Sequence, residues 1–130
     1  MGAIAWASLL LGRTVPGWAG GGKAEPRPIS FAKGKSSGTV SGTLSAGVQH
    51  EYSFGARKGQ RATLTIESQP HGKYSAFRLL HRPTGYATRL DVNYTWSDTL
   101  PADGEYEVTV FLRPTEKVRT ARYRLTLTLR

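Results

Sequence analysis

Apolar and polar residues alternate with a period of two through most of the chain from Ile29 onward. The pattern is clearest near the C-terminus, where Tyr123, Leu125, Leu127 and Leu129 alternate with arginine and threonine. Successive side chains of a β-strand point to opposite faces, so this alternation predicts strands with one buried face each. No window carries a sustained 3.6-residue apolar period, which argues against any long amphipathic helix.

The alternating segments predict an all-β fold. Turn residues such as Lys58-Gly59-Gln60 and Pro101-Ala102-Asp103-Gly104 separate the segments. Turn signals about every 8–12 residues are typical of sandwiches and barrels, and two facing sheets bury one face of every strand. We therefore expect an antiparallel β-sandwich of about seven to eight strands, because a five-stranded OB-like barrel has too few. The expected strands are 29–33, 39–44, 48–56, 62–67, one marked by Phe77 and Leu79, one marked by Leu90, Val92 and Tyr94, 106–112 and 123–129.

The 130 residues are enough for one domain. Residues 3–11 form an apolar run of signal-peptide length, although no Lys or Arg precedes it. We expect 1–19 to be a signal peptide with an incomplete n-region, 20–28 a flexible leader and 29–130 a single sandwich domain. A short buried helix is the alternative for the apolar run. Cysteine is absent, which excludes disulfides, thiolate zinc sites and thiol nucleophiles.

The sequence lacks the patterns that carry catalysis or bind metal. His50, His71 and His81 have spacings that match no metal-ligand pair, so we interpret them as surface histidines. Glu105 and Glu107 share one side of a strand as solvated charges and do not form an acid–base pair. We predict that the protein is not an enzyme and uses no cofactor and no metal.

Positive charge is the strongest functional signal in the composition. Eighteen Lys and Arg face nine Asp and Glu, a formal net charge of +9. The connection 113–121 is longer than a tight hairpin requires, and it carries Arg113, Lys117 and Arg119, with Arg122 just after it. Such a loop suits an acidic cleft, although an ordinary solvated hairpin has the same spacing. Nucleic-acid binding is a rival explanation that would require exposed aromatics among the basic residues.

Two groups of residues carry a family resemblance over 29–130. The first comprises Phe31-Ala32-Lys33-Gly34-Lys35-Ser36-Ser37, Ser41-Gly42, Tyr52-Ser53-Phe54, Lys58-Gly59-Gln60 and Leu64-Thr65-Ile66. The second comprises Leu100-Pro101, Gly104-Glu105-Tyr106-Glu107 and Arg122-Tyr123. They resemble the bacterial periplasmic inhibitors of goose-type (g-type) lysozyme. Part of the pattern is shared with secreted β-sandwiches resembling the pre-peptidase C-terminal domain.

This resemblance implies a periplasmic or secreted inhibitor that occludes the acidic substrate cleft of g-type lysozyme. It implies lysozyme contacts from Arg113, Lys117 and Arg119 and from the turn before Tyr52, here including Gln49 and His50. The lysozyme would be a protein partner, with no nucleic acid bound and no membrane insertion. The alternative is a non-catalytic module for polysaccharide or another envelope component, using Tyr74, Tyr86 and Trp96 to stack on sugars. An exported nucleic-acid binder is a third interpretation.

Overall fold

The computed structural model describes residues 26–88, 93–113 and 117–130. The predicted signal peptide and most of the predicted leader lie outside these ranges, as do Leu90 and Val92. Nine strands are assigned among the described residues, and none of those residues is helical. Their bounds are β1 (Arg27–Pro28), β2 (Ser37–Ser45), β3 (Gln49–Ala56), β4 (Arg61–Gln69), β5 (Ser75–His81), β6 (Tyr86–Ala87), β7 (Thr95–Thr99), β8 (Gly104–Leu112) and β9 (Thr120–Leu129).

The strands form two sheets whose apolar faces share one core. The four-stranded sheet has the order β2-β9-β4-β7, and the five-stranded sheet has the order β1-β3-β8-β5-β6. All neighbours are antiparallel except β1, which pairs in parallel with β3. The predicted all-β sandwich is confirmed.

The period-two pattern correctly identifies the buried face of the long strands. In β9, Ala121, Tyr123, Leu125 and Leu127 are buried, whereas the arginines between them are exposed. The facing sheet contributes further buried residues, which are Tyr52, Phe54, Phe77, Leu79, Tyr106, Val108, Val110 and Leu112. Burial of this apolar surface from both sheets is the main stabilising contribution to the fold.

The observed strands differ from the expected ones in three places, one of which is the short strand β6 (Tyr86–Ala87), which was not expected. Residues 29–33 are not a strand; instead Arg27–Pro28 pairs with β3 inside the range expected to be a flexible leader. The Arg27 guanidinium donates a hydrogen bond to the Tyr52 hydroxyl (2.9 Å), and the Ile29 amide donates to the Ser53 carbonyl (2.8 Å). Proline suits this position because an edge strand can do without its amide.

The strand expected around Tyr94 also shifts. Tyr94 lies just before β7, which runs over Thr95–Thr99 and pairs with β4. Within the described ranges there is no helix with the length and apolar character to cross a membrane.

Candidate functional site

Strand pairing brings the two predicted contact regions to one end of the sandwich. Gln49, the first residue of β3, pairs with Phe111 near the end of β8. The Ala46 amide in the β2–β3 turn donates a hydrogen bond to the Arg119 carbonyl (3.2 Å). We call this region, made of residues 46–50 with Arg113, Lys117 and Arg119, the basic end. The predicted site residues are far apart in sequence, and they lie on one rim of the molecule.

Arg113 is exposed, but its guanidinium forms a hydrogen bond with the Tyr94 side chain. Its backbone amide donates to the Tyr74 carbonyl (2.8 Å), and its Nη1 donates to the Tyr94 hydroxyl (2.9 Å). The Lys73 Nζ lies 5.1 Å from the centre of the same Tyr94 ring. Arg113 therefore forms a small cationic cluster with Lys73 around one tyrosine. Lys117 and Arg119 are exposed, and residues 114–116 between them and Arg113 lie outside the described ranges.

His50 points into the sandwich, whereas Gln49 is exposed. The His50 Nδ1 hydrogen-bonds the Tyr123 hydroxyl (2.8 Å), and the two rings are tilted with centres 5.7 Å apart. Burial, followed by the nearby positive charge of Arg27, lowers the pKa of His50. Its ring is neutral at pH 7, so His50 can anchor the turn but does not add to the positive charge of the basic end.

A partly buried polar network lies beneath the β2–β3 turn. The Tyr52 and Tyr123 hydroxyls hydrogen-bond each other, His50 bonds Tyr123, and Arg27 bonds Tyr52. Burial is the main cause of the raised pKa of Tyr123, so its hydroxyl is protonated at neutral pH. These four side chains come from three strands of the two sheets, and together they fix the base of the turn.

Several residues of this region were not among the predicted site residues. Val48 is 43% exposed at the tip of the turn beside Gly47, whose φ of +81° favours glycine. The sequence did contain a signal for Val48, because an apolar residue within a turn is expected to be exposed. Arg27, Lys73 and Tyr94 gave no such signal, because only the pairing of distant strands brings them near the basic end.

His81 and Glu107 differ from expectation, whereas His71 and Glu105 are exposed as expected. His81 is buried at the end of β5, and its two ring nitrogens bond the Thr84 hydroxyl (2.7 Å) and the Asp103 carbonyl (3.1 Å). Its interpretation as a surface histidine is therefore wrong, because both nitrogens find partners inside the fold. Glu107 forms a two-point ion pair with Arg82 (2.7 and 3.0 Å). No group of three or more metal-ligating side chains occurs among the described residues.

The three rings suggested as sugar-stacking surfaces pack against the core. Tyr74, Tyr86 and Trp96 are all partly buried there. The Tyr86 hydroxyl donates to Asp98 (2.7 Å), and burial together with this bond raises the pKa of Tyr86. All three rings are therefore partly covered by the core.

Solved structures of other proteins have the same architecture. PliG from Aeromonas hydrophila, a periplasmic inhibitor of g-type lysozyme, superposes with a TM-score of 0.65 at 21% identity, covering 81% of this chain and 96% of its own. PliG from Salmonella Typhimurium gives 0.64 at 25% identity, covering 83% and 100%. The chain has the fold of these inhibitors.

The likeness extends to a wider group of sandwiches. A pre-peptidase C-terminal domain of collagenase from Bacillus anthracis superposes with a TM-score of 0.55 at 15% identity, covering 82% of this chain and 97% of that domain. The resemblance to both groups that the sequence motifs indicated is confirmed. No protein-family model matches the chain, and no curated protein matches its sequence.

Proposed function

We propose that this protein inhibits a g-type lysozyme and that the basic end is the surface that occludes the enzyme's substrate cleft. The observation that carries the proposal is the structural match to two PliG inhibitors, over 81% and 83% of this chain. The basic end adds a physical reason, since glycoside hydrolases act through acidic residues in a cleft. A rim that presents Arg113, Lys117 and Arg119 is complementary in charge to such a cleft.

The proposed contact uses charge-assisted hydrogen bonds. Arg113 would exchange its bond to the neutral Tyr94 hydroxyl for a bond to a lysozyme carboxylate, which is shorter and stronger. Arg119 and Lys117 would bind further acids on the cleft walls. The exposed Val48 side chain would fill apolar space between them, as the centre of an interface prefers. Gln49 and His50 complete the proposed surface, His50 by holding the turn in place.

The proposal also covers how the protein acts and where it is located. The protein would act by binding and carry out no reaction itself, consistent with structural neighbours that are inhibitors. The neighbours are described as periplasmic, and residues 1–19 have the pattern of an export signal. We propose a periplasmic or secreted protein with a lysozyme as its partner.

The proposal is tested by clearing of a bacterial cell-wall suspension. G-type, chicken-type and invertebrate-type lysozymes are each titrated with the purified protein. We expect stoichiometric loss of g-type activity. We expect the double variant Arg113→Ala/Arg119→Ala to weaken binding by at least about 2 kcal/mol, roughly thirtyfold, as at arginine hot spots.

The matched control removes two positive charges at the opposite end. Arg57 and Lys58 lie in the exposed β3–β4 turn, and Arg57→Ala/Lys58→Ala carries the same change in net charge. We expect inhibition by this control within about threefold of the wild type, because rim charges far from a contact contribute little. Equal losses in the two double variants would refute the basic end as the contact, and no inhibition of g-type lysozyme would refute the function.

A further inference from the structure

The outer face of the four-stranded sheet is covered by hydroxyl groups in register. One row runs across four strands through Ser37, Thr128, Thr63 and Ser97. The next row runs through Thr39, Thr126, Thr65 and Thr95. Neighbouring strands are about 4.8 Å apart and alternate residues about 6.7 Å apart, so the hydroxyls form a regular grid.

Within each row the hydroxyls pair across strands and keep further bonding capacity. Ser37 bonds Thr128 (3.0 Å) and Thr63 bonds Ser97 (2.9 Å). Each hydroxyl has one donor and two acceptor sites, so a single bond leaves the pair able to bind another polar group. Threonine is common on exposed strands, and the rows alone specify no ligand.

A groove with two arginines lies where the rows approach the basic end. Its volume is about 510 Å³, and its walls include Ser41, Thr43, Arg122 and Arg124. The Arg122 Nη2 donates to the Gln69 side-chain carbonyl (2.6 Å). The Arg124 guanidinium stands 3.9 Å from Glu67, with both side chains about two-thirds exposed (66% and 69%). An exposed pair at this distance is weak, so Arg124 can turn to another anion.

We infer that this groove binds an anionic glycan, with one oxyanion-bearing sugar between Arg122 and Arg124 and the chain continuing over the hydroxyl rows. A guanidinium fork matches carboxylate and phosphate geometry, and hydroxyls match the donors and acceptors of sugar rings. The volume is that of a small-ligand site. Tyr74, Tyr86 and Trp96 do not line this groove, whereas the Arg122 and Arg124 side chains do. Charged sugars are therefore favoured over neutral ones. The inference is independent of lysozyme inhibition.

The experiment is calorimetric titration of the whole protein with a galacturonic-acid hexamer and, separately, with maltohexaose. We expect the acidic hexamer to bind and the neutral one to give no heat of binding. The double variant Arg122→Gln/Arg124→Gln should lose about tenfold or more in affinity, the usual effect of removing charge-assisted bonds. Glu67→Gln should gain up to about fivefold, because it removes the carboxylate that competes for Arg124.

A matched double variant distinguishes binding at the groove from nonspecific attraction between the positively charged protein and the anionic hexamer. Arg57→Gln/Lys58→Gln has the same net charge as the groove variant and should bind within about twofold of the wild type. Competition by glucose 6-phosphate would identify phosphate as an equally good anion, and lack of competition would identify the carboxylate. Equal losses in the two double variants, binding of maltohexaose as tight as that of the acidic hexamer, or no binding of the acidic hexamer would overturn the inference.

Discussion

At the scale of single residues, Gly42 shows how tightly the base of the β2–β3 turn is packed. A Cβ on Gly42 would lie 2.9 Å from the Tyr123 hydroxyl oxygen and 3.1 Å from the His50 Nδ1. Those two atoms hydrogen-bond each other, and Tyr123 also bonds Tyr52. The added carbon can therefore be accommodated only if this hydrogen-bonded network shifts. The Ser41-Gly42 dipeptide of the family resemblance therefore has a local steric reason.

We expect Gly42→Ala to lower the free energy of unfolding by about 1–3 kcal/mol, the usual cost of an overpacked core. Gly55→Ala is the matched control, since Gly55 lies in β3 and a Cβ added there would have no other atom within 4 Å. It should be neutral or stabilise by up to about 1 kcal/mol, because alanine loses less backbone entropy than glycine. Urea denaturation of both variants measures the difference. Equal stabilities would show that the Tyr123 network can shift at no cost.

At the scale of elements, the end of the sandwich opposite the basic end is fixed by one tyrosine. The Tyr106 hydroxyl donates to the Ala102 carbonyl (2.7 Å) and accepts from the Ala102 amide (3.3 Å), four residues upstream. Its ring stacks on Phe54 with centres 5.4 Å apart. This arrangement resembles the tyrosine corner of β-sandwiches, and it holds the connection from β7 into β8. The Gly104-Glu105-Tyr106 segment of the family resemblance thus supports the fold, and it lies at the end opposite the proposed contact.

We expect Tyr106→Phe to destabilise the protein by about 1–3 kcal/mol, because it removes both hydrogen bonds between the buried Tyr106 side chain and the half-buried Ala102 backbone. Lysozyme inhibition per folded molecule should not change, since Tyr106 lies far from the basic end. Tyr94→Phe is the comparison: it removes only the exposed bond to Arg113 and should alter stability by less than about 0.5 kcal/mol. Thermal and urea unfolding give both values. A loss of inhibition larger than the loss of folded protein would contradict the separation of the two ends.

At the scale of the whole molecule, the formal net charge of +9 acts over distances longer than any single contact. A strongly positive protein approaching an acidic cleft is accelerated by electrostatic steering, which salt screens within about 8 Å at physiological ionic strength. The charges of both ends contribute to steering, whereas only the basic end would form lasting bonds with the enzyme.

We expect the association rate constant with g-type lysozyme to fall about tenfold when the salt concentration is raised from a low value to the physiological value or above. The dissociation rate constant should change much less. Arg57→Ala/Lys58→Ala should slow association slightly and leave dissociation unchanged. Arg113→Ala/Arg119→Ala should mainly speed dissociation, because it removes bonds made only in the complex. Surface plasmon resonance at several salt concentrations separates the two rates. A salt effect confined to dissociation would contradict steering.

Much of the fold could be predicted from the sequence, because side-chain alternation is a local property of a strand. The buried faces around Phe54, Val108 and Leu125 follow from that period, as does the turn at Lys58-Gly59-Gln60. Of the proposed site, the sequence supplied the basic residues Arg113, Lys117 and Arg119, and the resemblance supplied Gln49 and His50. Their role in binding lysozyme stays a prediction.

Only the tertiary structure decided which strands pair, and the differences from the predicted strands and site residues follow from that pairing. Arg27 joined the fold through Tyr52, 25 positions away, and His50 turned inward because Tyr123, on the other sheet, offers it a partner. Arg113 meets Tyr94, and the groove forms where Arg122 and Arg124 of β9 lie between β2 and β4. Local sequence determines which face of a strand is apolar. Which distant residues become neighbours depends on packing between whole strands, and no short stretch of sequence contains that information.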